Sequence, residues 1–220
     1  MARGFKRSHG HYVAKLDAVE RGLVVGLMEQ VLELVEPDDA ALGPNGGEGD
    51  GDDGGAGNGD EFDQIVAGLG GIGMGVSLSA ADQVPELSGG APEPRDPALD
   101  RIFPTANRQD EQVAAEFRRL TEDGLRARKA GNLRTAIAAL ASLEDHKVSL
   151  EQPQALALLI ALTDVRLVLG ERLGLTQDED FDLLEEQVSG LEDDDPAVYA
   201  LAVYDFLTWL QETLAHALTP

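Results

Sequence analysis

The chain has 220 residues, no cysteine and a formal charge of −24, from 17 Lys and Arg against 41 Asp and Glu. That length suits one ordinary domain with a core, with or without an insert, and the lack of cysteine excludes a disulfide framework, a thiolate metal site and a thiol nucleophile. The negative field repels phosphate backbones and anionic lipid, so nucleic acid is disfavoured as a partner unless the positive charge is segregated.

The N-terminal run MARGFKRSHGHYVAK is basic but lacks the apolar stretch of a signal peptide, and nowhere do 18 apolar residues run uninterrupted. The expectation is a cytoplasmic protein without membrane attachment. HYVAKL, residues 11 to 16, suits a short strand. Asp17 followed by Glu20 forms a capping box, and Val24, Leu27, Val31, Leu34 and Val35 recur at three and four, which predicts a helix to about Val35, stopped by Pro37. Residues 37 to 60 offer Gly, Asp and Asn with little to bury and are expected to be a disordered acidic insert. Residues 75 to 97, with Pro85, Pro92, Pro94 and Pro97, suit a Pro/Gly linker.

The stretch from about Gln109 to Arg128 predicts a helix, with a candidate break at Thr121 to Gly124 and a continuation through Leu133 to Leu143 left open. KVSL, residues 147 to 150, suits a strand that pairs with the N-terminal one. A helix is predicted from Pro153 to about Gly174, and a last one from Asp195, with Pro196 in its first turn, to about Ala217. The fold class is mainly α: a helical bundle with at most a small two- or three-stranded sheet, in one domain over 1–220 whose core comes from 11–36 and 96–218.

GLGGIGMG, residues 68 to 75, carries through Gly68, Gly70 and Gly73 the G-x-G-x-x-G spacing that cradles a pyrophosphate. Such a loop must follow a buried strand and open a helix. Neither DQIVA before it nor MGVSLSAADQVP after it meets that need, so the spacing is read as a coincidence and no cofactor is expected. From Asp50, DGDDGGAGNGDE places acids and glycine where a calcium loop has them, but Gly54 and Gly57 stand where a ligand and an apolar side chain belong; a solvated acidic insert is the better reading. His9 and His11 sit two apart at a terminus expected to be mobile, with no third ligand, so no metal site is assigned. No P-loop, G-x-S-x-G elbow or HExxH is present, and no catalytic residue is assigned.

Six of the 17 basic residues, Arg118, Arg119, Arg126, Arg128, Lys129 and Arg134, fall within 17 positions, whereas residues 36 to 63 carry ten acids and no base. A helix, a turn at TEDG and a second Arg-rich helix would imitate a helix-turn-helix. The neighbouring Glu116, Glu122 and Asp123 favour a salt-bridged helix surface instead.

On a helical wheel the last helix is apolar over an arc of about 180°, including Tyr199, Phe206 and Trp209, and leaves a narrow strip of Tyr204, Asp205, Thr208, Gln211 and Glu212. It is expected to be covered on most sides. On the preceding helix Arg166 projects among Leu159, Leu162, Leu169 and Leu173, with Asp164 and Glu171 opposite. An unpaired guanidinium there is unfavourable, which predicts a carboxylate partner, Asp205 or Glu116, in a core-organising ion pair or else a ligand-binding Arg.

DPALDRIFPTA (96 to 106), EFRRLTEDGLRARKAGNL (116 to 133), LIALTDVRLVLGERLGL (159 to 175) and YDFLTWLQETLAHAL (204 to 218), with VERGLVVGLMEQVLEL in the first helix, resemble an uncharacterised actinobacterial family. Its genes lie beside that of the Clp protease adaptor ClpS, and its members are sometimes labelled transcriptional regulators. The resemblance implies cytoplasm and gene neighbourhood, with no catalytic residues to carry over. The expected function is a non-enzymatic regulatory or interaction protein with a protein partner or itself, as a homodimer. A DNA-binding regulator using Arg118 to Arg134 is the alternative, and a nucleotide-binding enzyme a further one. The interaction candidates are Arg118, Arg119, Arg126, Asp164, Arg166, Arg172, Tyr204, Trp209 and Gln211.

Overall fold

A computed structural model of the chain describes residues 2–36, 95–107, 110–142, 146–175, 177–192 and 195–219. The glycine motif at 68 to 75, the acidic insert with its calcium-like loop and nearly all of the Pro/Gly linker lie outside the described residues.

Strands β1 (Arg3–Ser8) and β2 (His11–Lys15) form an antiparallel hairpin. His9 and Gly10 close it with φ of 52° and 84°, the two left-handed residues that a tight type I′ turn requires. Strand β3 (Lys147–Leu150) pairs antiparallel with β2, as expected, and the order is β1-β2-β3. The terminus expected to be mobile is therefore a strand. Phe5 is buried and its N–H donates to Thr213 Oγ1 at 3.1 Å, while a Cβ at Gly4 would come within 2.5 Å of the Thr213 methyl, so β1 is seated directly on the last helix.

Helix α1 (Ala18–Val35) begins at the predicted capping box: Glu20 N donates to Asp17 Oδ1 at 2.9 Å and Asp17 N donates to Glu20 Oε2 at 2.8 Å. Helix α2 (Pro97–Ile102) was not legible as a helix; Asp96 caps it by accepting from Ala98 N at 2.8 Å, with Pro97 in the first turn. Helix α3 (Glu111–Ala141) runs unbroken through the TEDG segment, which removes the turn that a helix-turn-helix needs. Gly124 costs about 1 kcal/mol in a helix interior. Against that, Glu122 accepts from Arg126 Nε and from Arg95 Nη1 at 2.9 and 3.0 Å, and Arg126 also donates to the Val35 carbonyl at the end of α1. Burial raises the pKa of Glu122, but the hydrogen bonds from Arg95 and Arg126 outweigh it and the carboxyl lies below its ordinary value.

Helices α4 (Gln152–Arg172) and α6 (Pro196–Leu218) start and stop within two residues of expectation, and the short acidic α5 (Asp178–Val188) lies between them. With a mean hydropathy of 1.5, α4 is long and apolar enough to cross a membrane by composition; here α1, α2, α3 and α6 pack around it as the central helix of a core. The inner face of the sheet, with Phe5, Tyr12, Ala14, Val148 and Leu150, closes one end. The wide apolar arc of α6 is only partly covered. Ala200, Leu201, Val203, Leu207, Leu210 and Leu214 are buried, whereas Tyr199 and Trp209 are exposed, and the Phe206 and Trp209 rings lean on each other at 6.0 Å. Among the described residues this helix packs mainly on α4, α5 and the sheet.

The largest departure on α4 is Asp164. Expected on a polar side, it is 1% exposed, because α3 lies against that side; Lys129 Nζ meets its Oδ1 at 2.5 Å and, among the described residues, no donor meets its Oδ2. Burial pushes the carboxyl pKa up, and the hydrogen bond and charge of Lys129 only partly oppose the shift. Lys129→Met leaves this carboxylate buried without its counter-ion and is expected to destabilise by about 3–5 kcal/mol near neutral pH. A carboxyl whose folded pKa lies above its ordinary 3.8 favours folding most below 3.8 and loses that contribution as pH rises through the folded value. The variant's deficit should therefore shrink at lower pH. Urea unfolding at pH 7 and pH 5 checks this, and equal deficits at both would place its source elsewhere.

Candidate functional site

Arg166 leaves α4 towards α6, where the polar strip of that helix receives it. Its guanidinium lies over the Tyr204 ring, 5.1 Å from the centroid, and Nη1 donates to Gln211 Oε1 at 2.6 Å. Gln211 in turn donates from Nε2 to Thr163 Oγ1 at 2.7 Å, which fixes the amide. Among the described residues no carboxylate meets Arg166. Asp205 is one position further round α6 and exposed, and Glu116 stands on α3 beside Arg119 at 3.6 Å. The expected ion pair is thus replaced by neutral acceptors and an aromatic face.

Arg101 of α2 approaches the same place. Its Nη2 donates to the Leu175 carbonyl at 2.8 Å, and its Nε is 3.2 Å from Glu171 Oε2. The end of α4 presents that carbonyl through a Schellman turn: Leu175 N donates to the Gly170 carbonyl, Gly174 N donates to the Glu171 carbonyl, and Gly174 has φ of 73°. A larger side chain would be strained at that backbone angle.

Between these groups lies a cavity of about 390 Å³, lined by Arg101, Arg166, Tyr204, Asp205, Thr208 and Phe181, among others, and joined through the same two arginines to a smaller one of about 130 Å³. Phe181 of α5 packs on Tyr204 with centroids 5.9 Å apart and forms one wall. The Nε–H groups of Arg101 and Arg166 are buried without an acceptor in hydrogen-bond alignment among the described residues. Two guanidinium groups, a phenol and a hydroxyl around a space with one carboxylate suit an anionic group, since the planar guanidinium fork matches a carboxylate in two parallel bonds.

Of the sequence-derived candidates, the structure brings together Arg166, Tyr204 and Gln211. The others lie elsewhere on the fold. Arg118 lies 3.6 Å from Asp100 and 3.7 Å from Glu122, and Arg126 stands on Glu122 and over the Phe103 ring at 5.1 Å. Arg119 pairs with Glu116, Arg172 with Asp96, Asp164 with Lys129, and Trp209 leans on Phe206 away from the cavity. The ion pair from Arg172 and the hydrogen bond from Ala98 N hold the Asp96 pKa below its ordinary value, although burial raises it most. Sequence reasoning missed Arg101, Thr208 and Phe181. Arg101 sits on a six-residue helix with no periodicity to read, and Phe181 on a helix made mainly of acids.

Arg166→Met keeps the apolar stem of the side chain and leaves Gln211 bonded to Thr163. It is expected to destabilise by less than about 1.5 kcal/mol. A loss of roughly 3 kcal/mol or more in urea unfolding would instead make Arg166 a strut between α4 and α6.

A family model described as a domain of unknown function, DUF2017, matches residues 2–218. Neither the curated proteins nor the solved structures contain a match to the chain.

Proposed function

Since the chain belongs to this DUF2017 family, whose description assigns no activity, we propose that it is a non-enzymatic interaction protein that takes a carboxylate-bearing segment of a protein partner into the cavity between α4, α5 and α6. One observation carries this reading. In a chain with a formal charge of −24, Arg166 is half-buried beside a cavity whose one carboxylate, Asp205, makes no ion pair with it. A partner carboxylate would supply the missing counter-charge and an acceptor for the Nε–H of Arg166, which has none among the described residues. The non-enzymatic part is our reading of the lining, in which Arg, Tyr, Thr, Phe and one Asp side chain surround the space and neither His nor Cys takes part.

The setting we propose is the cytoplasm, near Clp-dependent proteolysis, on the gene neighbourhood that the resemblance implies. The DNA-binding alternative has less support, because Arg118, Arg119, Arg126, Lys129 and Arg134 each stand on a carboxylate. Self-association is part of the reading. Val113, Phe117 and Leu120, spaced along one side of α3, are exposed together. Light scattering at tens of micromolar is expected to give a dimer, and Phe117→Glu a monomer; a monomeric parent chain removes this part.

A photo-crosslinker placed at Asp205 tests the cavity in cells. It is expected to capture one or more protein neighbours, and Arg166→Met to lose them while its melting temperature stays within about 4 °C of the parent. Neighbours captured equally by both chains would take the cavity out of the reading. A pull-down that recovers no Clp component would remove the proteolytic setting alone.

A further inference from the structure

Most cations of the helical layer, Arg166 apart, stand on acids. Arg101 stands on Glu171, Arg126 on Glu122, Lys129 on Asp164 and Arg172 on Asp96. The sheet is different. Arg3, Lys6, Lys15 and Lys147 are exposed on it, and none makes an ion pair among the described residues. The strand register gathers them. Arg3 lies opposite Lys15 and Lys15 opposite Lys147, so three cations form one row across three strands. Like charges placed directly across a ladder repel, which makes the row unfavourable until an anion lies on it. Lys6 extends it past the irregularity in β1 between Arg3 and Lys6, where a groove of about 310 Å³ opens, lined by all four cations with Ser8 and Val13 and by no acid.

The inner face of the sheet is used by the core and β1 is seated on α6, so the outer face is the one that remains. We propose that this face docks an acidic, extended segment of a partner protein, its carboxylates following the row Lys147, Lys15, Arg3 to Lys6. Three strands about 4.8 Å apart give a row of roughly 10 Å, the reach of three to four residues of extended chain and two carboxylates on one side of it. A nucleic acid fits less well. The formal charge of −24 opposes a long polyanion, and the groove offers no aromatic side chain on which a base could stack. This surface does not depend on the Arg166 cavity, and different substitutions address the two.

The probe is a fluorescein-labelled octaglutamate peptide, with a twenty-residue oligothymidine for comparison, read by anisotropy on the full chain at 50 and 500 mM NaCl. The parent chain is expected to bind the peptide at low salt and to lose most of the affinity at high salt. Lys15→Gln with Lys147→Gln should weaken binding at least tenfold without lowering the melting temperature, because it relieves a like-charge pair, and Arg166→Met should leave binding unchanged. Should the Lys pair fail to fold, Arg3→Gln with Lys6→Gln makes the same test. The proposal is overturned by no peptide binding at low salt, by binding that the Gln variants leave intact, by loss of binding in Arg166→Met, or by oligothymidine binding tighter than the peptide.

Discussion

Lys129 reaches across the α3–α4 interface to Asp164, and much of the fold is arranged so that it can. A helix as apolar as α4 packs readily on many surfaces, which leaves the rotation and register of its neighbours open. A single buried carboxylate narrows the choice, because each packing without a cation opposite Asp164 carries an uncompensated charge. The ammonium of Lys129 lies 5.9 Å from the centroid of the Phe103 ring at the end of α2, and Arg126, one turn earlier, covers the same ring and ties back to the last carbonyls of α1. Four helices are thus referred to one ion pair. Such a pair adds little net stability over a well-packed apolar substitute, so its part here is to select one arrangement.

Asp164 and Arg166 are two positions apart on α4, about 200° round the helix, and they face opposite neighbours. They differ in what they meet. Asp164 finds a full charge on α3 and is enclosed; Arg166 finds an amide, a hydroxyl and an aromatic face on α6 and stays beside open space. Neutral acceptors satisfy a guanidinium in part while leaving its charge uncompensated, so the site keeps its attraction for an anion without collapsing onto one of its own acids.

Much of this architecture could be read from residues in order. The capping box of α1, the Pro-started α6 and the strand KVSL follow from local chemistry that tertiary contacts did not override. The anomaly of Arg166 was visible on a wheel, and so was the polar strip of α6 that receives it. What stayed hidden was their match, since it depends on how the two helices meet. The elements missed share a cause. Only Phe5 of β1 is buried, so no alternation marks it as a strand, and α2 and α5 are short pieces held by a cap and a few contacts. TEDG read as a turn because the contacts that brace the helix beside Gly124, the ion pair from Arg95 and the hydrogen bond to the Val35 carbonyl of α1, come from far off in the chain.

The charge pattern shows the same limit most sharply. Counted along the chain, the basic residues cluster between positions 118 and 134, and that cluster invites a functional reading. Counted in space, most of it disappears: the acids of α2, α4 and α3 itself, with Glu36 at the end of α1, sit against it. A row of unmatched cations belongs to a hairpin near the start of the chain and to a strand near residue 150, brought together by backbone pairing. A cluster in sequence marks where charge is made. Only the ladder shows where it is left over, and leftover charge is what an outside partner can feel.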